Sequence, residues 1–107
     1  MQVHTKKKVE IVIAQPIMRQ ILDLLDNLGC TGYTVVRAIS GKGHHSSWDL
    51  SDLSDSTRHV VIVVIVSEEA AARILEEIKQ VFRHHHGIVF TSSVEVIRSD
   101  YFETKNA

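Results

Sequence analysis

The sequence predicts a single α+β domain: a four-stranded antiparallel sheet with two helices on one face. Two observations carry the prediction. Segments of strand-like and helix-like periodicity follow one another in the order strand, helix, strand, strand, helix, strand. One of the strand segments, Val60 to Val66, is apolar at every position. With 107 residues the chain has enough length for one hydrophobic core, so residues 1–107 form one domain.

Val9, Ile11 and Ile13 alternate with Glu10, Val12 and Ala14, the period of two expected of a first strand. Pro16 fits the first turn of a helix, where its missing N–H would be unbonded in any case. Ile17, Ile21, Leu24, Leu25 and Leu28 recur at three- and four-residue steps, so the first helix spans about Pro16 to Leu28. Gly29 suits the left-handed residue that commonly follows a helix. Tyr33, Val35 and Arg37 alternate with Thr34, Val36 and Ala38 in a second strand, and Val60 to Val66 form the third. Ser67 is placed to cap the second helix, with Glu68 and Glu69 in its first turn and Ala71, Ile74, Leu75, Ile78 and Phe82 as its buried stripe. Gly87 lets the chain turn into a fourth strand marked by Ile88, Phe90, Ser92, Val94 and Val96, and a polar tail follows from about Ser99. Two such βαβ halves make the ferredoxin-like arrangement βαββαβ.

In that arrangement both helices cover the same face, and the strands should alternate apolar with polar where the other face meets water. Val60 to Val66 do not alternate. Leaving apolar side chains wet on the second face costs about 25 cal/mol per Å², so the sheet is expected to pack on sheets of other copies.

Between the second and third strands lies a long polar segment, residues 40–58. Beyond Ser40-Gly41-Lys42-Gly43 it carries Ser46, Ser47, Ser51, Ser54 and Ser56 with Asp49, Asp52 and Asp55, and neither a strand nor a long helix fits it. A loop this long in so small a domain is commonly functional. From about His44 to Thr57 it has little apolar surface to offset the roughly 1 to 2 kcal/mol per residue that ordering a backbone costs, so that stretch is expected to be mobile without ligand or partner. Trp48 is the sole tryptophan and sits with Leu50 and Leu53 among acidic residues. These three are the expected partner contacts, because tryptophan is enriched where interfaces concentrate their binding energy.

The formal net charge of -1 gives no overall positive field for nucleic acid or an anionic membrane. Lys6, Lys7 and Lys8 read as a solvated cluster leading into the first strand. Cys30 is the lone cysteine, which excludes an intrachain disulfide and fits a reducing compartment. The longest apolar run falls far short of the roughly 20 residues of a membrane span, so no membrane insertion and a cytoplasmic location are expected.

The element order, Gly32-Tyr33-Thr34 opening the second strand, Gly41-Lys42-Gly43 at the base of the long loop and the Gly87 turn together resemble the PII-like signal-transduction proteins over roughly Lys8 to Arg98. The resemblance implies a trimer of ferredoxin-like subunits whose long segment is a T-loop. It is greatest to the branch associated with inorganic-carbon uptake and carboxysomes, whose members bind adenine nucleotides and in some cases bicarbonate. It therefore implies a non-enzymatic sensor without a cofactor, signalling to a protein partner such as a bicarbonate transporter or carboxysome component.

By the same resemblance, Gly32, Tyr33 and Thr34 are expected near base and ribose and Gly41, Lys42 and Gly43 near phosphates. Gly87 with Ile88 and Arg98 would contribute across a cleft between subunits. Glycines permit close backbone approach to an anion, and Arg37, Arg58 and Arg98 offer forked donors. One departure is informative. Where the nitrogen-regulatory branch carries a glycine-rich phosphate wrap, this chain has Arg83-His84-His85-His86-Gly87, so AMP or ADP is expected to compete well with ATP. The loop also lacks a tyrosine, which excludes uridylylation there.

Other chemistries have less behind them. His44, His45, His59 and His84 to His86 suggest zinc, but adjacent side chains diverge and rarely share one ion. Cys30 with an imidazole could form a nucleophile pair, yet a lone cysteine after a helix is more often a small buried hydrophobe. RNA binding on the sheet needs exposed aromatics on the central strands, and Val60 to Val66 has none. A trimer of the divalent-cation-tolerance type, metal-linked or structural, is the strongest alternative, and an acyl-phosphate hydrolase of the same topology is the next.

Overall fold

The computed structural model describes residues 2–38, 40–42, 47–49 and 58–98, with the backbone alone for 40–42 and 47–49. Its elements are β1 (His4–Ala14), a 3-10 turn (Gln15–Ile17), α1 (Met18–Asn27), β2 (Thr34–Arg37), β3 (Ser40–Lys42), β4 (Ser47–Asp49), β5 (His59–Val66), α2 (Glu68–Val81) and β6 (Gly87–Val96). Four strands form one antiparallel sheet in the order β2-β5-β1-β6, the expected ferredoxin-like topology.

The core lies between this sheet and the two helices. Val9, Ile11 and Ile13 of β1 and Val60, Ile62, Val64 and Val66 of β5 meet Ile21, Leu22 and Leu25 of α1 and Ala70, Ala71, Ile74, Ile78 and Val81 of α2, all buried. Leu75 and Phe82, expected in the buried stripe, are half-buried at its edges. Pro16 opens a 3-10 turn before α1 proper, and Gly29 takes the left-handed conformation at φ 82°. The Ser67 hydroxyl accepts from the Ala70 amide at 3.1 Å and so caps α2 as its sequence predicts.

Two local readings are corrected. Lys6, Lys7 and Lys8 do not precede the first strand but lie inside it, because β6 is long enough to pair as far as His4 opposite Val96. The Lys7 ammonium donates to the Ser93 hydroxyl at 2.8 Å across that ladder. The segment between β2 and β5 is not strand-free either: β3 and β4 pair, with Gly41 opposite Trp48 and Lys42 opposite Ser47. The expected mobility of the rest of this loop falls on 43–46 and 50–57, outside the described residues.

Register assigns the second sheet face. Val61, Val63 and Ile65 of β5 share it with Val12 of β1, Val36 of β2, and Ile88 and Phe90 of β6. Val36, Ile88 and Phe90 are 49%, 57% and 45% exposed. Near its middle the face carries a Lys8–Glu10 ion pair at 3.7 Å. An apolar surface of this kind on a single subunit calls for a protein cover.

Gly87 has no positive φ, so its role is space rather than turning. A Cβ there would lie 2.5 Å from Phe82 Cζ and 3.0 Å from Ile13 Cγ2. Gly87→Ala is expected to displace the Phe82 ring and cost about 1 to 3 kcal/mol, the usual range for overpacking. Urea unfolding measures this, and an unchanged midpoint would mean that the ring moves aside freely.

Candidate functional site

At one end of the sheet the strand ends line up in a row. Arg37 closes β2 opposite Val60, His59 opens β5 opposite Ala14, and Gly87 opens β6 opposite Ile13. Two backbone hydrogen bonds pin the long segment where it leaves and returns. The Ala38 amide donates to the His59 carbonyl at 3.0 Å, and the Gln15 amide donates to the Arg58 carbonyl at 2.8 Å. The hairpin carrying Gly41 and Lys42 therefore springs from the same edge as Arg37 and Arg58. Across four strands the row is about 14 Å wide at about 4.8 Å per strand. The turn after α2, with Arg83 to His86, joins it through Gly87.

The remaining predicted residues lie elsewhere. Thr34 is three residues further in, opposite Val63, and it shares the helix-free face with Ile88, which pairs with Val12. Tyr33 is half-buried against the core. Gly32 has nothing within 4 Å of where a Cβ would stand, and its φ is not positive. Among the described residues, no contact within the subunit therefore requires glycine at 32. Arg98 lies two residues past Val96, the far end of β6, and Val96 is itself nine residues beyond Gly87, or about 31 Å at about 3.4 Å per residue. One subunit thus brings Arg37, Gly41, Lys42, Arg58 and Gly87 to one end and holds Arg98 at the other, which corrects the expected grouping of Gly87 with Arg98: the length of β6 keeps the two apart. Gly43, Leu50 and Leu53 lie outside the described residues, and Trp48 is placed on β4, across from Gly41, by its backbone.

Burial pushes the Cys30 thiol up, the Arg73 charge opposes this and Asp26 adds to it, which is the reverse of an activated thiolate. Among the described residues, no three His, Cys, Asp or Glu side chains are grouped to hold a metal ion. No described helix is long and apolar enough to cross a membrane.

The sequence profile of the family described as nitrogen regulatory protein P-II matches residues 6–101. The chain belongs to the PII family. PII proteins are trimers and are regulatory rather than enzymatic. Among solved structures, the chain is similar to CPII, a nitrogen regulatory PII-like protein from Thiomonas intermedia K12. In its structure bound to ADP, AMP and bicarbonate the likeness reaches a TM-score of 0.89 at 31% identity, over 96% of this chain and 98% of that one. In its structure bound to ADP and bicarbonate the TM-score is 0.86 at 32% identity, over 94% and 97%. A PII-like signaling protein from Thermus thermophilus gives a TM-score of 0.82 at 27% identity, over 95% and 99%. Among curated proteins no sequence matches.

Two things were hidden from sequence reasoning. The β3–β4 hairpin has strands of three residues with no usable period. That the triple histidine adjoins the loop base depends on the register of β6 against β1.

Proposed function

We propose that this PII-family chain is a cytoplasmic sensor of adenine nucleotide. It acts as a trimer with AMP or ADP held between neighbouring copies, and it signals through the segment that begins at the β3–β4 hairpin. The observation that carries the reading is the likeness, over nearly the whole length of both chains, to CPII structures whose ligands are ADP, AMP and bicarbonate. Because Gly87 and Arg98 lie at opposite ends of β6, we assign the Gly87 end of one copy and the Arg98 end of the next to one cleft, in place of the two residues acting together. An uncrowded Gly32 also fits a residue whose close neighbour lies outside its own subunit. The same likeness supports bicarbonate as a second ligand, and the proposed protein partner belongs to inorganic-carbon metabolism.

A thermal-shift panel of AMP, ADP, ATP and cyclic AMP, with and without bicarbonate, tests the reading. A ligand at about 100 times its Kd should stabilise by about 2.7 kcal/mol, a rise of several degrees. AMP and ADP are expected to give it, with calorimetry showing less than about a tenfold preference for ATP, because the chain lacks a glycine-rich phosphate wrap. A response to copper or zinc and none to nucleotides would overturn the nucleotide reading.

Trp48, with Leu50 and Leu53, is the proposed partner contact. Trp48→Ala is expected to leave nucleotide affinity within about threefold while abolishing capture of the partner. A collapse of thermal stability in that variant would make Trp48 part of the packing of its own subunit.

A further inference from the structure

We propose that His84, His85 and His86 make nucleotide binding depend on proton concentration, so that acidification tightens the grip on the phosphates. The inference rests on the nucleotide reading above and adds a regulatory input to the same site. Four of the chain's seven histidines lie at the loop-base end of the sheet among the described residues. His84, His85 and His86 are exposed in the turn between α2 and Gly87, and His59 opens β5 two strands away, about 10 Å across. By the resemblance to the nitrogen-regulatory branch, His84 to His86 stand where a glycine-rich loop would wrap the phosphates. Backbone amides keep their donors at any pH, whereas imidazole changes charge between about pH 5 and pH 8.

The charges around these imidazoles decide the sign. From β2 comes Arg37, from the approach to β5 Arg58, and from α2 and the turn after it Lys79 and Arg83. α1 contributes Arg19, engaged with Asp23 at 3.9 Å. The hairpin backbone places Lys42 on β3 and Asp49 on β4. On α2 the nearest carboxylates are Glu76 and Glu77, the latter seven residues before His84 or about 10 Å along the helix. β1 and β6 bring no charged residue to this end: Ile13 and Ala14 close β1, Gly87 and Ile88 open β6, and Glu10 lies further in, paired with Lys8. Among the described residues, most of the permanent charges at this end of the sheet are therefore positive. Protonation adds to that positive field, and an incoming phosphate is its counter-charge, so proton uptake and anion binding reinforce each other.

The test compares wild type with the triple variant H84Q/H85Q/H86Q by calorimetry with ADP and with adenosine, from about pH 8 to about pH 6. The ratio of wild-type to variant affinity cancels the titration of the ligand's own phosphate. It is expected to rise about tenfold for ADP over this range and to stay flat for adenosine. The variant H84R/H85R/H86R, permanently charged, should exceed the glutamine variant for ADP by a ratio that stays constant from about pH 8 to about pH 6. It also replaces the glutamine variant if that one unfolds. A flat ratio for ADP, with ADP still bound, would overturn the proton link and leave the nucleotide reading intact. An equal rise for adenosine would overturn the assignment of the effect to the phosphates. Absence of ADP binding by wild type at every pH would overturn both.

Discussion

Replacing Phe90 by lysine is expected to turn an assembly of about 36 kDa, three chains of 12.0 kDa, into monomers that remain folded. Phe90 is 45% exposed in the single subunit and lies on the helix-free face directly opposite Glu10. A lysine there would form a cross-strand pair with Glu10, which an isolated subunit tolerates well. In an interface the same lysine would bring an ammonium into apolar surroundings and remove an aromatic whose burial is worth about 1.5 to 3 kcal/mol. With three copies contributing, dissociation should rise by at least about a hundredfold. Light scattering measures the mass and circular dichroism the fold. Because the proposed ligand lies between copies, ADP affinity should fall with the mass. A monomeric wild type would remove the argument from the apolar face, and a variant that stays trimeric would place the contact elsewhere on the sheet.

Lys42→Ala is expected to weaken ADP by about tenfold or more while changing adenosine by less than about twofold. Lys42 lies on β3, just beyond the edge that also bears Arg37 and Arg58, so the charge it removes belongs to the phosphate end of the proposed cleft. Equal losses for the two ligands would locate Lys42 against the base or in the hairpin's own stability.

Much of the fold was legible because burial writes a period into the chain. Val9, Ile11 and Ile13 face the helices at alternate positions, and α2 repeats its buried residues at helical steps. Val60 to Val66, apolar on both faces, revealed the need for a cover that no single subunit provides. The start of β1 was not legible, because His4 to Lys6 pair with β6 alone, beyond the reach of β5, and a two-stranded ribbon places no hydrophobic demand on its side chains. The hairpin was hidden for a related reason: Ser-Gly-Lys and Ser-Trp-Asp are too short to alternate. Site residues could be nominated one at a time, but the distance from Gly87 to Arg98 is a matter of strand length and register. Only the paired strands reveal that the two belong to different ends.

That separation has an outcome at the level of mixed populations. Under the proposed assignment each copy lends its Gly87 end to one cleft and its Arg98 end to another. Suppose that two kinds of chain, one crippled at the first end and one at the second, co-assemble in a closed ring of three. In either mixture, two copies of one kind with one of the other, a single junction joins an intact Gly87 end to an intact Arg98 end. Two alleles that are each silent alone would then complement each other, restoring one working cleft in every mixed ring and none in the pure ones.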